Sequence, residues 1–158
     1  MSLKFFKIFF FFSFLFLLQN CGYQPLLTEK NQKFTINSFD ISGDKKLGQM
    51  LANRFMKIEN APNVLMCEID LEKKRNESNR SRSGKVLEYE LEVALDFKAV
   101  SASSGNQILK KRYSKKISYK ASTLYSDTLS REKKIADDLI KSIANQIITD
   151  LNIVYKLK

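Results

Sequence analysis

The side chains that most often carry catalysis are scarce in this sequence. The chain has 158 residues with no histidine and no tryptophan, and its two cysteines are Cys21 and Cys67. Without an imidazole, histidine-based catalytic dyads and histidine metal sites are excluded. The sequence also shows no carboxylate pair, activated nucleophile or glycine-rich phosphate loop. We therefore predict that the protein is not an enzyme and that it uses no metal or cofactor.

Cys21 lies where the chain changes from apolar to polar. Lys4 and Lys7 precede an apolar run over residues 8–18 that only Ser13 interrupts. This pattern is typical of the signal peptide of an exported protein. The run is also shorter than the roughly 20 apolar residues that a helix needs to cross a bilayer.

The residues around Cys21 resemble the lipid-attachment site of a bacterial lipoprotein, which is cut before a diacylated cysteine. Leu18 stands at the usual position three before the cysteine, whereas Asn20 replaces the usual glycine, alanine or serine. The resemblance implies that residues 1–20 are removed and that Cys21 is lipidated. An uncleaved N-terminal anchor helix and a conventional cleavage without lipid are the alternatives. Cys67 would then be a lone thiol, which we expect to be buried.

The chain is strongly basic, with a formal net charge of +10 at pH 7. Such a balance favours an anionic partner: nucleic acid, lipid headgroups or an acidic protein surface. Because the N-terminal segment predicts export, we expect no nucleic-acid partner. We expect a linker over residues 21–32 and one domain over residues 33–158.

The first half of that domain predicts a strand, a helix and a second strand. Residues 33–41 alternate as in a strand, with a break near Phe39. A helix opens at Gly43-Asp44 and ends at residues 60–62, and a strand follows from Asn63 to about Lys74. The predicted apolar stripe of the helix comprises Leu47, Met50, Leu51, Arg54, Phe55 and Ile58.

The second half predicts a β-hairpin. In residues 87–98 the odd positions are apolar and the even positions are mostly acidic. In residues 106–121 the odd positions include Leu109, Tyr113, Ile117, Tyr119 and Ala121, and the even ones include Lys110, Arg112, Lys116 and Lys120. Gly105 closes an odd-length turn between the two stretches. The resulting register pairs residues whose numbers sum to 208. It predicts the apolar pairs Leu95–Tyr113, Leu91–Ile117 and Tyr89–Tyr119, and the charged pairs Asp96–Arg112, Glu92–Lys116 and Glu88–Lys120.

A long amphipathic helix closes the chain, with Ser126 or Ser130 as its expected N-cap. The predicted element order is β-α-β-β-β-α. It indicates an α+β fold, in which a four-stranded sheet carries two helices packed on one face. The stripe of the last helix comprises Ala136, Leu139, Ile140, Ile143, Ala144, Ile147, Leu151 and Val154.

A polar, basic stretch over residues 75–84 separates the second strand from the third. Its composition predicts a solvated loop. Since arginine forks match phosphate oxygens, the same stretch is also a candidate contact for anionic groups. The candidate residues are Arg75, Arg80, Arg82 and Lys85. The solvent-facing side of the hairpin is a competing candidate, and its basic residues are Lys110, Arg112, Lys116 and Lys120. Three of these four have an acidic residue opposite them in the register that pairs residue numbers summing to 208.

The chain as a whole resembles the lipopolysaccharide-assembly lipoprotein family LptE, particularly its short alphaproteobacterial branch. The start of that branch, Cys-Gly-Phe-Arg-Pro-Leu-Tyr, is matched by Cys-Gly-Tyr-Gln-Pro-Leu at residues 21–26, with Leu27 in place of the last tyrosine. A Ser-Tyr pair at the end of the last strand and a tyrosine before an alanine-rich terminal helix are matched by Ser118-Tyr119 and Tyr125.

This resemblance implies a non-enzymatic function. The family plugs the lumen of the outer-membrane β-barrel LptD, helps that barrel fold and contacts lipopolysaccharide. It implies a lipid anchor at Cys21 on the periplasmic face of the outer membrane, with which Gly22 is compatible. It also implies that lipopolysaccharide is the anionic ligand of the basic stretch. The alternative is a generic cell-envelope lipoprotein that serves as a binding module without a barrel partner.

Overall fold

The computed structural model describes residues 33–59 and 61–156. The predicted signal peptide, the predicted linker and Cys21 lie outside these residues. The described elements follow the predicted order and confirm the α+β fold. They are β1 (Phe34–Gly43), α1 (Lys45–Ala52), β2 (Asn63–Arg80), β3 (Val86–Ser101), β4 (Gln107–Lys120) and α2 (Tyr125–Lys156).

The four strands form one sheet in the order β1-β2-β3-β4. β1 runs parallel to β2, whereas the other two neighbouring pairs are antiparallel. Both helices pack on the sheet and on each other, and they bury one face of it in a common core. The opposite face carries no helix in the described part of the chain, and we call it the open face.

The break predicted near Phe39 is a register shift in β1. Phe34 and Ile36 are buried, and the pairing with β2 then shifts between Ile36 and Ser38. The extra residue reverses the alternation, so Phe39 and Ile41 are the next side chains to pack against the core.

The helix α1 is shorter than predicted. Asp44 caps it by accepting a hydrogen bond from the Leu47 N–H at 3.1 Å, but the helix ends at Ala52 rather than near residue 60. Phe55 nevertheless packs against Phe39, with 5.3 Å between ring centroids. Phe55 continues the apolar spacing of the helix in the sequence because a turn after the helix returns this residue to the core.

The predicted register between β3 and β4 is confirmed. Every predicted pair is present, from Glu88–Lys120 to Asp96–Arg112. On the open face, Arg112 forms an ion pair with Asp96 at 2.7 Å. Lys116 instead reaches diagonally to Glu90 at 3.2 Å.

The predicted loop over residues 75–84 is mostly a strand. β2 continues to Arg80 and pairs with β3 as far as Val86, so only residues 81–85 form the turn. The prediction ended the strand near Lys74 because the apolar alternation stops there. β3 supplies backbone partners to this polar segment, which needs no buried face to remain extended.

The long helix α2 starts earlier than predicted. It begins at Tyr125, so Ser126 and Ser130 lie within the helix and neither is its N-cap. The Thr128 hydroxyl instead accepts a hydrogen bond from the Ser122 N–H at 2.8 Å, which ties the incoming loop to the first turn. The predicted stripe from Ala136 to Leu151 is buried.

The predicted burial of Cys67 is also confirmed, since only 2% of this residue is exposed. It lies on β2 within the core shared by the sheet and the helices. Burial raises the pKa of its thiol to about 12, so the group stays protonated at neutral pH.

Candidate functional site

The candidate site is built on the extension of β2 and β3 beyond the rest of the sheet. β1 pairs with β2 only as far as Gly43 and Leu71, whereas β2 runs on to Arg80. On the other side, the pairing of β4 with β3 stops at Glu88. We call the segment formed by residues 73–90 the hairpin arm. Its outer end is two-stranded within the described residues.

Glu132 of α2 anchors the base of this arm. Its carboxylate accepts hydrogen bonds from Arg75 at 3.0 Å, Lys73 at 3.3 Å and the Tyr119 hydroxyl at 3.0 Å. The side chain is only 10% exposed. Burial raises the pKa of Glu132, but the hydrogen bonds from Arg75, Tyr119 and Lys73 outweigh it and hold the pKa below its usual value. We call these four residues the Glu132 clamp, and its carboxylate is charged at neutral pH.

Arg75 is committed to this clamp rather than free at the surface. Its guanidinium also lies 5.0 Å from the centroid of the Tyr89 ring, a cation–π contact. Hydrogen bonds with Tyr125 and then Glu132 raise its pKa above its usual value. The sequence could not show these contacts, because Glu132 and Tyr125 follow Arg75 by some fifty residues. Arg75 is therefore not an unpaired cation of the basic stretch.

The turn at the end of the arm organises Arg80. Gly84 adopts a positive φ of +82°, and its N–H donates to the Ser81 carbonyl at 2.9 Å. Arg80 donates to the Gly84 carbonyl at 2.9 Å and forms an ion pair with Glu77. Its guanidinium therefore supports the turn.

Arg82 and Lys85 are the available cations of the predicted set. Both residues are exposed. Among the described residues, neither side chain has a hydrogen-bond or ion-pair partner. Of the four predicted site residues, two thus stabilise the arm and two point their charge to solvent at its tip.

An exposed apolar patch, which the sequence reasoning missed, adjoins the arm. It consists of Leu87, Leu124, Tyr125 and Leu129; Leu124 and Tyr125 are 63% and 61% exposed. The Leu87 carbonyl accepts a hydrogen bond from the Ala121 N–H at 2.9 Å, which brings the loop before α2 beside the arm. One signal for this patch was available in the first part of α2. The buried positions there are Thr128 and Glu132 rather than apolar residues, and the leucines lie outside the buried stripe.

The competing basic set on the open face is half paired: two of its four residues have an acidic partner, and Lys110 and Lys120 have no ion pair among the described residues. Arg112 and Lys116 are paired with Asp96 and Glu90. Lys110 lies opposite Lys98, which is held by Glu68 at 2.9 Å. A shallow depression on this face is lined by side chains of both signs. The described residues contain no cluster of histidine, cysteine or acidic side chains that would hold a metal ion, and none of their helices is long and apolar enough to cross a membrane.

Comparison with known proteins identifies a family for most of the described domain. The family model for LptE, described as lipopolysaccharide-assembly, matches residues 32–151. No curated protein matches the chain.

Two solved structures share the fold. A protein from Caulobacter crescentus CB15 has a TM-score of 0.55 and 15% identity, covering 79% of this chain and 92% of its own. A minor lipoprotein from Acinetobacter baumannii has a TM-score of 0.55 and 18% identity, covering 77% of this chain and 92% of its own.

Proposed function

Because this chain belongs to the lipopolysaccharide-assembly family LptE, we propose that it helps assemble the outer-membrane β-barrel LptD, plugs its lumen and contacts lipopolysaccharide. Membership gives the chain a role in lipopolysaccharide assembly as a partner of the transport machinery in the cell envelope. The family is a non-enzymatic transport component, and we extend that property to this chain. We place the protein at the periplasmic face of the outer membrane, anchored through lipid on Cys21.

The observation that carries the lipopolysaccharide contact is that two exposed cations lie beside the exposed apolar patch. Arg82 and Lys85 lie at the tip of the arm, and neither side chain has an ion-pair partner among the described residues. Leu87 follows Lys85 by two residues on β3, so the patch begins close to the cations. An anionic amphiphile such as lipopolysaccharide offers phosphates to the cations and acyl chains to the patch.

Arg75 and Arg80 belong to the same proposed contact, but they contribute differently. Each already donates to a carboxylate, Glu132 or Glu77. A phosphate would have to displace that carboxylate, whereas at Arg82 and Lys85 it displaces only water. We therefore assign the first phosphate contact to Arg82 and Lys85. Arg75 and Arg80 would contact phosphate only by exchanging their carboxylate partners for it.

The barrel role is supported by the construction of the domain. The sheet and both helices share one continuous core, which favours a rigid body. The chain is also basic, which suits the polar interior of an outer-membrane barrel. The competing function is a cell-envelope lipoprotein that binds anionic lipid without a barrel partner, and co-purification separates the two.

The lipopolysaccharide contact is tested by binding measurements on Arg82→Ala/Lys85→Ala. Each exposed cation contributes about 1 kcal/mol to a phosphate contact, so the double variant should bind lipopolysaccharide about 30-fold more weakly at low salt. The loss should shrink at high salt, because exposed charges are screened. Lys45→Ala/Lys46→Ala removes the same charge from exposed positions at the start of α1 and should bind like the parent chain. Equal losses in the two double variants would show that only net charge matters. Loss in Arg112→Ala/Lys116→Ala instead would move the site to the open face.

A further inference from the structure

In the part of the chain that the structure describes, the outer edge of β2 is open beyond Leu71. β1 occupies this edge only along the pairs from Phe34–Asn63 to Gly43–Leu71. β2 continues to Arg80 with β3 on its other side, and every residue from Glu72 to Arg80 is exposed. Within the described part of the chain, no strand lies on the outer side of this segment.

The backbone direction can be worked out from the last contact with the chain leaving β1. The Leu71 carbonyl accepts a hydrogen bond from the Asp44 N–H at 2.7 Å, so Leu71 directs its backbone groups to the outer edge. In a strand, both polar groups of a residue point to one side, and the side alternates along the chain. Lys73, Arg75 and Glu77 therefore present their N–H and C=O groups outward. No backbone hydrogen bond occupies these groups within the described residues.

The side chains along this edge determine which charge an added strand should carry. Four of them are basic and two are acidic between positions 72 and 80, and Arg82 and Lys85 follow at the turn. Each of the four basic residues already has an acidic partner, which is Glu132, Glu72 or Glu77, but six cations against three carboxylates leave the edge net positive. Two copies of the chain joined at this edge would bring like charges together, and basic residues are a common device against such pairing. An acidic strand added at this edge would bring opposite charges together. The basic members are Lys73, Lys74, Arg75 and Arg80, and the acidic members are Glu72 and Glu77.

The arm is also built so that an added strand would stabilise it. A two-stranded hairpin is marginally stable in water, and a third strand is the usual support. The Glu132 clamp fixes the base of β2 through Lys73 and Arg75, so the edge is held in an extended form before anything pairs with it. Pre-ordering of this kind lowers the entropy lost when a strand is added.

We propose that an extended acidic segment of a partner protein adds to the sheet along Lys73–Glu77, in the position that β1 leaves empty. Main-chain hydrogen bonds would hold the segment and its carboxylates would face the basic edge, as in other recognition by strand addition. This inference goes beyond the proposed function, since neither lipopolysaccharide contact nor barrel plugging requires an added strand. Lipopolysaccharide, which has no peptide backbone to form a ladder, is a different ligand.

The test uses the full-length chain in detergent and two synthetic peptides. One peptide alternates glutamate with threonine and valine over eight residues, and the other carries lysine in place of each glutamate. Hydrogen exchange resolved to single amides is measured for the chain with each peptide. The acidic peptide should slow exchange at the amides of Lys73, Arg75 and Glu77 at least tenfold. The lysine peptide should leave them unchanged.

A matched pair of variants isolates the backbone contribution. Glu77→Ala and Glu77→Pro remove the same carboxylate, but only the second removes the outward N–H, and proline is tolerated at a strand edge that faces solvent. Glu77→Pro should bind the acidic peptide at least fivefold more weakly than Glu77→Ala. Circular dichroism of both variants checks that the sheet is intact.

Four outcomes of the peptide experiments would overturn the proposal. They are equal protection by both peptides, no protection at these three amides, equal binding by the two Glu77 variants, and protection confined to the outer edge of β4. Protection that appears without peptide and rises with protein concentration would also overturn it, because a second copy would then occupy the edge.

Discussion

Replacing Glu132 by glutamine tests the clamp that holds the hairpin arm to α2. Glutamine keeps the shape of the side chain and an acceptor for the Tyr119 hydroxyl, but it removes the negative charge that faces Lys73 and Arg75. A hydrogen bond to a buried charged group contributes about 1.5–3 kcal/mol. Here the lysine and arginine side chains are 37% and 35% exposed, so both cations can regain water. We therefore take about 1 kcal/mol for each and expect a loss of about 2 kcal/mol.

This loss is measured by urea unfolding at pH 7, as a fall in the free energy of unfolding of Glu132→Gln relative to the parent chain. For a chain of this size it corresponds to a fall in Tm of about 4–8 °C. Asp138→Asn is the control, because Asp138 is exposed on the same helix and has no ion pair among the described residues. A Glu132→Gln variant as stable as Asp138→Asn would refute the clamp.

The pH dependence of the same difference has a defined sign. The pKa of Glu132 is lowered in the folded chain, so its carboxylate contributes stability that is fully present above the unfolded-state pKa of about 4.3. That contribution is lost as the pH falls through the lower folded-state pKa, where the protonated acid resembles glutamine. The parent chain and Glu132→Gln should therefore converge in stability on acidification. A difference that stays constant from pH 7 to pH 2 would show that charge is not its cause.

Two further predictions concern the cysteines. Mass spectrometry of membrane-extracted protein should find a diacylglyceryl group on a peptide that begins at Cys21; an intact Met1 or an unmodified new N-terminus would contradict lipidation. Cys67 should react with iodoacetamide at pH 8 only when the chain is unfolded, because burial raises its pKa to about 12 and the thiolate is the reactive form. Rapid labelling of the folded chain would place Cys67 at the surface.

The sequence predicted the regions where a buried face repeats at a regular period. The hairpin of β3 and β4 has an apolar residue at every second position of β3 from Leu87 to Phe97 and at most of the facing positions of β4, and this pattern determines its faces and its register. The last helix has a stripe long enough to indicate both its type and its packed side. The pattern failed where no such face exists. β2 beyond Lys74 is a strand because β3 pairs with it, and nothing in its polar composition records that partner.

The sequence identified the basic stretch between the second and third strands, but not the contacts of its side chains. The basic stretch does lie at the end of the sheet, but its arginines differ in availability because their partners are distant in sequence. Arg75 is paired by a glutamate on the last helix, whereas Arg82 has no such partner among the described residues. The patch around Leu124 was missed for a related reason: exposure depends on what covers a side chain, and the period of the sequence does not report it.

The most direct test of the proposed role is co-purification of the tagged, full-length chain from detergent-solubilised outer membranes. We predict that LptD, identified by mass spectrometry, is recovered in near-equal amount with the chain, and that the pair survives salt concentrations that screen exposed ion pairs. Recovery of the chain without LptD, from cells that contain both, would contradict the barrel role and favour a lipoprotein that acts without a barrel partner.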